Sequence, residues 1–305
     1  TEFGFKTPDT SGITFAGELN GPTPGNGQAV LSQRGQGDIK LDNDLNGNWS
    51  LRIAAGDGAK NSGKILDSSG NPITDLDVDI DSGAIFEIDG NNLVDGEFSK
   101  EITGDGGVEI INGDVSFTES KKKYGGQTRL SKGSLNLREK DAIANSSDVQ
   151  FNGGDLIAST NQTLKNVSGS DPNSNLDVKK DKTVTIEQKK NKVLKASLSG
   201  EGNLEKSGTS KLTLDNDANN SIGEISIKEG TFKLKDDTSL DGNVIVNPDR
   251  DNPDAEFIGG NGEINGDVTN NGVFSPGNSP GTTTVTNYKG NGTLLFEYTT
   301  KKVNG

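Results

Sequence analysis

The stretch Ser199-Gly200-Glu201-Gly202-Asn203-Leu204-Glu205-Lys206-Ser207-Gly208, followed by Leu212-Thr213-Leu214 and by Ile225-Ser226-Ile227-Lys228-Glu229-Gly230-Thr231-Phe232, decides the fold. Short runs alternate apolar and polar residues, and glycine punctuates them. Successive side chains of a strand point to opposite faces, so each run predicts a half-buried strand entered through a turn.

Working outward, the phrase Gly-x-Gly-x-aliphatic occurs at Gly35–Ile39, Gly104–Val108, Gly200–Leu204, Gly260–Ile264 and Gly290–Leu294. Each copy is expected to open a strand. Their uneven spacing favours a solenoid with variable loops over a propeller with equal blades. A longer copy is also present: Arg129 to Arg138 matches Ser226 to Lys235, 97 positions later. In both, a glycine (Gly133, Gly230) starts the strand. Alternation recurs in Trp49–Ile53, Leu76–Ile80 and Val184–Ile186, and no stretch keeps an i, i+3, i+4, i+7 apolar pattern, so helix should be nearly absent.

The rival is an antiparallel meander or sandwich. Asn-Gly and Asp-Gly pairs, such as those beginning at Asn46, Asp89, Asn112, Asp241 and Asn291, each license a type I′ hairpin. Against it, 11 Phe, 3 Tyr and 1 Trp make a small aromatic core for two packed sheets. Only 28% of the 305 residues are hydrophobic and 42 are Gly, so the core must be thin and linear. A parallel β-helix meets this condition: coils of roughly 20 to 25 residues stack at ~4.8 Å, giving about 12 to 14 coils and a rod of about 60 Å. Residues 1–27, rich in Pro and Gly, are expected to cap the first coil, 28–298 to form the solenoid, and 299–305 to be the end of a truncated or processed segment.

Composition also excludes functions. Cys is absent, which removes disulfides, thiolate metal sites and thiol nucleophiles. His is absent too, removing the commonest general base and zinc ligand. The net charge of −14 repels duplex nucleic acid as a general partner. No apolar run approaches the length of a membrane-spanning helix. No catalytic residues and no cofactor are assigned.

From Leu198 onward the wording resembles the strand repeats of Gram-negative autotransporter passengers (type V secretion). The run Ser275-Pro276-Gly277-Asn278-Ser279-Pro280-Gly281-Thr282 resembles a Ser-Pro-Gly-Asn-Ser-x-Gly-Thr phrase near the end of many such passengers. The resemblance covers about residues 195–298 best and 104–158 less closely. It implies a right-handed, single-stranded parallel β-helix, secreted to the bacterial surface through a C-terminal translocator barrel in the full-length chain. It further implies an extracellular passenger of the self-associating or adhesin type, either anchored to the outer membrane or released.

Two outward features are candidate sites. Asp75, Asp77, Asp79 and Asp81 alternate with Leu76, Val78 and Ile80, which puts four carboxylates on one outer face of a single strand. A cation is considered there, but carboxylates about 7 Å apart do not gather on one ion without loop help, so the reading is a solvated acidic ladder. Lys179, Lys180, Lys182, Lys189, Lys190, Lys192 and Lys195 form a basic cluster, with Lys121, Lys122 and Lys123 as a second. Such lysines protect a strand edge or meet an anionic partner.

The expected function is a cell-surface adhesin that self-associates between cells, driving aggregation and biofilm growth. The alternatives are an adhesin for host matrix protein, anionic glycan or extracellular DNA, and a carboxylate-based polysaccharide-active enzyme. If lysine–carboxylate pairs hold copies together, cells should clump at low ionic strength and disperse as salt is added.

Overall fold

The computed structural model describes residues 2–7, 13–16, 19–20, 29–35, 39–41, 45–46, 49–54, 65–66, 75–119, 122–249, 254–277 and 281–296. The chain is an all-β solenoid of parallel strands in about 11 turns, 3% helical. The helical residues are two 3-10 turns, Gly90–Asn92 and Val94–Gly96. About 11 turns stand where 12 to 14 were expected, and the register step varies from coil to coil. Strand pairing among the described residues is parallel apart from one isolated antiparallel bridge, Gly260 to Gly277. The meander is thereby ruled out, and described Asn-Gly and Asp-Gly pairs such as Asp89-Gly90, Asp241-Gly242 and Asn265-Gly266 lie within coils whose neighbours are parallel.

Contact clustering divides the chain into two units, residues 1–148 and 149–305. In the first, one sheet runs Glu2–Thr7, Ala29–Gly35, Trp49–Ala54, Val78–Ile80, Ile102–Gly104. Its inward residues Leu31, Leu51, Val78 and Ile102 fall in one register column and are all buried. The stretch expected as a cap supplies strands Glu2–Thr7, Ile13–Phe15 and Leu19–Asn20, each in parallel register with the following coil. Elsewhere in this unit Phe86, Phe98 and Phe117 form an aromatic column at 6.0 and 6.1 Å.

In the second unit, one sheet runs Gln162–Lys165, Thr183–Glu187, Asn203–Ser207, Asn219–Ile227, Ser239–Val246, Glu263–Asn270, Thr284–Lys289. Val184, Leu204, Ile225, Val244 and Val268 stack inward along it. On another side Phe232, Phe257 and Phe274 stack nearly parallel at 6.1 and 5.5 Å. Each such buried side chain contributes roughly 1.5–3 kcal/mol, so columns, not a globular centre, hold the chain together. A third, six-stranded sheet ends with Gly154–Ala158, Asn175–Val178 and Ser197–Ser199, beyond which Asn220 follows. The fully buried Asn220 amide accepts from the Leu198 N–H at 3.0 Å and donates to the carbonyl of Ser239, also at 3.0 Å. It thus occupies the place a further strand would take and pairs the Leu198 donor there.

The described copies of the Gly-x-Gly phrase explain how one coil passes over the corner of the coil before it. The turn Lys179–Lys182 is closed by the Lys182 N–H on the Lys179 carbonyl at 3.0 Å, with Asp181 at φ 59. Gly200 crosses it at φ 105, where an added Cβ would lie 2.1 Å from the Val178 carbonyl oxygen, and the Gly202 N–H donates to that oxygen at 3.0 Å. The same construction recurs in the first unit: Ala84 N–H on the Asp81 carbonyl, Gly83 at φ 83, Gly104 at φ 92 and the Gly106 N–H on the Ile80 carbonyl. All five phrases lead directly into a strand, as expected. The duplicated segment also folds alike in both copies, with Gly133 at φ 80 and Gly230 at φ 64 beginning their strands. Gly200→Ala combines a disfavoured φ with a main-chain collision, and is expected to lower stability by at least ~2 kcal/mol in urea unfolding; an unchanged midpoint would contradict this account of the corner.

Candidate functional site

Of the four aspartates expected to line one strand face, only Asp79 lies within a strand, exposed between buried Val78 and Ile80, and Asp77 is exposed just before it. The strand is only Val78–Ile80, so Asp75 and Asp77 precede it and Asp81 opens the next turn. Each of the last three answers a different neighbour. Asp77 accepts from the Glu101 N–H at 2.9 Å, Asp79 from the Thr103 hydroxyl at 2.9 Å, and Asp81 from Arg52 Nε at 3.1 Å. Asp75 is exposed. Among the described residues no group of three or more acidic side chains is placed to hold a metal ion.

The lysines close in sequence are likewise spread around a coil. Lys179, Lys180 and Lys182 sit at the corner before Thr183–Glu187, Lys189 and Lys190 at the corner after it, and Lys192 and Lys195 in and after Lys192–Leu194. Three are paired locally: Lys179 with Asp177 at 2.5 Å, Lys180 with Glu201 at 3.1 Å and Lys189 with Glu187 at 2.8 Å. Exposed pairs of this kind add little stability, but they cancel much of the field that would attract an anion. In the second cluster, Lys121 lies outside the described residues, Lys123 pairs with Glu101, and Lys122 is buried.

Among the described residues, Lys122 and Lys206 are the two buried lysines. Lys206 occupies an inward column between Ile186 and Ile227 and is fully buried. Its ammonium donates to the carbonyls of Ser207 at 2.8 Å, Gly208 at 2.6 Å and Glu229 at 3.0 Å. Lys122 donates to the Lys100 carbonyl at 2.6 Å and lies 5.3 and 5.4 Å from the ring centres of Phe98 and Phe117. Burial pushes both pKa values down to about 8; Glu229 opposes the shift at Lys206, and Asp77, Glu101, Glu119 and Glu139 oppose it at Lys122. The alternation Leu204-Glu205-Lys206 already carried the signal, since Lys206 shares the face of Leu204.

Two exposed ladders run along the long bent strands of the second unit. One joins Asn203, Glu224, Asn243, Asp267 and Asn287: Asn203 and Asn243 are register partners of Glu224, the Asp267 N–H donates to Asn243 at 3.0 Å, and Asn287 donates to the Asp267 carboxylate at 2.7 Å. Amide and carboxylate alternate strictly along it. The other joins Ser221, Asp241 and Asn265, with Asn265 donating to Asp241 at 2.7 Å. Between the ladders each strand bends at a glycine. An added Cβ would lie 2.0 Å from the Ile222 carbonyl oxygen at Gly242, and 2.1 Å from the Gly242 carbonyl oxygen at Gly266. The ladders were hidden in the sequence because their members are separated by whole coils of uneven length.

At the other end of the same sheet lies a groove of about 350 Å³ lined by Thr163, Thr185, Glu187, Lys189, Ser207, Gly208, Thr209 and Glu229. Its lining overlaps the residues whose carbonyls hold Lys206. A second, smaller groove in the first unit, of about 220 Å³, is floored by Gly106, Gly107 and Gly126.

No family model matches the chain, and no significant match was found among curated proteins or solved structures.

The buried lysines make a pH prediction. The unfolded chain holds the Lys206 proton up to the ordinary value of 10.5, while the folded chain releases it near 8. Across that window the unfolded state binds more protons, so this contribution to stability is complete above 10.5 and is lost as pH falls through 8. Burial raises the Tyr124 pKa, which reverses the trend once unfolded tyrosine ionises near pH ~10. Stability should therefore rise between pH 8 and about 10, and Lys206→Met should remove roughly half of that rise, Lys122 supplying the rest. Parallel pH profiles for the variant and the parent, read by urea unfolding, would contradict this.

Proposed function

We propose that this chain is the passenger of a bacterial autotransporter, displayed at the cell surface, and that it binds copies of itself and so drives aggregation. The single observation that carries this reading is the alternation of amide and carboxylate along Asn203, Glu224, Asn243, Asp267 and Asn287. When two such ladders meet antiparallel about a two-fold axis lying between rungs, four rungs of each copy pair, the two carboxylates Glu224 and Asp267 of one facing two amides of the other, and one terminal amide stays outside the pairing. Each contact is a charge-assisted hydrogen bond, weak alone and repeated along the ladder. The glycine bends between the ladders keep side chains from standing above the rungs.

The resemblance of Ser275–Thr282 to passenger sequences supports the secretion route, and the absence of His and Cys supports a non-catalytic role. Binding to host matrix, anionic glycan or extracellular DNA through the lysine cluster is less favoured, because Lys179, Lys180 and Lys189 are paired within the chain. The amide ladder also reverses the expected effect of salt. Copies of net charge −14 repel one another, and amide–carboxylate contacts carry little ion pairing for salt to weaken, so added salt is expected to favour association.

Sedimentation velocity across protein concentration tests this reading. The parent chain should shift to a dimer or larger species as concentration rises. Converting the amide rungs to acids in Asn203→Asp/Asn243→Asp/Asn287→Asp should leave a folded monomer with a lowered unfolding midpoint, since each new carboxylate stands beside Glu224 or Asp267. A parent chain that stays monomeric throughout, or a folded variant that associates equally well, would sink the proposal.

A further inference from the structure

The groove over Lys206 has a different chemistry from the ladders. Its lining is rich in hydroxyls, and among the described residues the Thr185 and Thr209 hydroxyls have no intramolecular partner. Its charged groups are already engaged on one side: Glu187 with Lys189 at 2.8 Å, and Glu229 with the Gly208 N–H at 3.0 Å. The Glu187 carboxylate has further lone pairs that accept from a hydroxyl, and the Lys189 ammonium has further donors for a hydroxyl or ring oxygen.

Below the groove, Lys206 binds the carbonyls of Ser207, Gly208 and Glu229, three of the residues that line it. A charge buried in an aliphatic column is costly unless well paired, and here its pairing fixes the groove's main chain. The floor is therefore rigid before any ligand arrives, which reduces the ordering cost of binding.

We propose that this groove is a binding site for a neutral oligosaccharide laid along the solenoid axis. The lining residues come from successive coils, with Thr163 beside Thr185 and Glu187 beside Ser207 in register. Neighbouring strands are ~4.8 Å apart, close to the length of one pyranose residue, so successive sugars meet successive coils. Two carboxylates and one ammonium line the groove, which disfavours an anionic glycan. No aromatic ring lines it, so affinity comes from hydrogen bonds alone and is millimolar for one site. Many copies on one cell surface raise that to useful avidity.

Saturation-transfer NMR on the full chain, with maltotriose, cellotriose and chitotriose as neutral probes and a heparin-derived tetrasaccharide as the anionic one, tests the site. At least one neutral trisaccharide should bind in the millimolar range. The double variant Thr185→Val/Thr209→Val should weaken it by about tenfold, the loss expected for two hydrogen bonds, without lowering the unfolding midpoint. The site is refuted if none of the neutral probes binds, if only the heparin fragment does, or if the folded double variant binds as tightly as the parent. The acidic ladder variant Asn203→Asp/Asn243→Asp/Asn287→Asp should retain the trisaccharide, so this site and self-association fail independently.

Discussion

The main-chain hydrogen bonds between one coil and the next are the constraint on which everything else in this chain depends. They fix neighbouring strands in parallel register, as from Thr183–Glu187 to Asn203–Ser207, and so bring together side chains separated by a whole coil. Inward, this yields columns such as Val184, Leu204, Ile225 and Val244. Outward, it yields ladders such as Asn203, Glu224 and Asn243. A protein with few apolar residues is stable in this form because each buried side chain packs against the equivalent one above and below, and the backbone needs no separate partner.

Glycine and buried polar groups mark the places where stacking alone is insufficient. Gly200 and Gly202 let one coil cross the corner of the coil before it, where a side chain would strike the Val178 carbonyl at Gly200 and the Lys179 carbonyl at Gly202. Asn220 closes the end of a sheet with its amide. Lys206 stands where the columns would admit an aliphatic residue, and three carbonyls hold its charge. In a repetitive core such residues distinguish one rung from the next, a role attested for single polar groups in other repeating structures.

Much of the architecture was legible in the sequence. The alternation in Gly230–Leu234 and the five Gly-x-Gly phrases lead to real strands, because strand period and positive-φ glycine are local properties. The candidate sites were less legible. The alternation from Asp75 to Asp81 is kept in part, with Asp77 and Asp79 exposed about buried Val78, but the strand is only three residues long and each contacted carboxylate meets its own neighbour. The lysines from Lys179 to Lys195 looked like a patch, yet a coil carries them round successive corners.

The sequence by itself determined the fold class, the absence of histidine and cysteine chemistry, and the glycine-marked entry to each strand. Only the tertiary structure decided which side chains share a surface: the alternating ladder from Asn203 to Asn287, and the hydroxyl-lined groove above Lys206. The physical reason is that strand alternation is set by nearest neighbours along the chain, whereas a ladder depends on coil length. Coil length varies with every insertion, so residues that touch across coils stand at no constant spacing in the sequence.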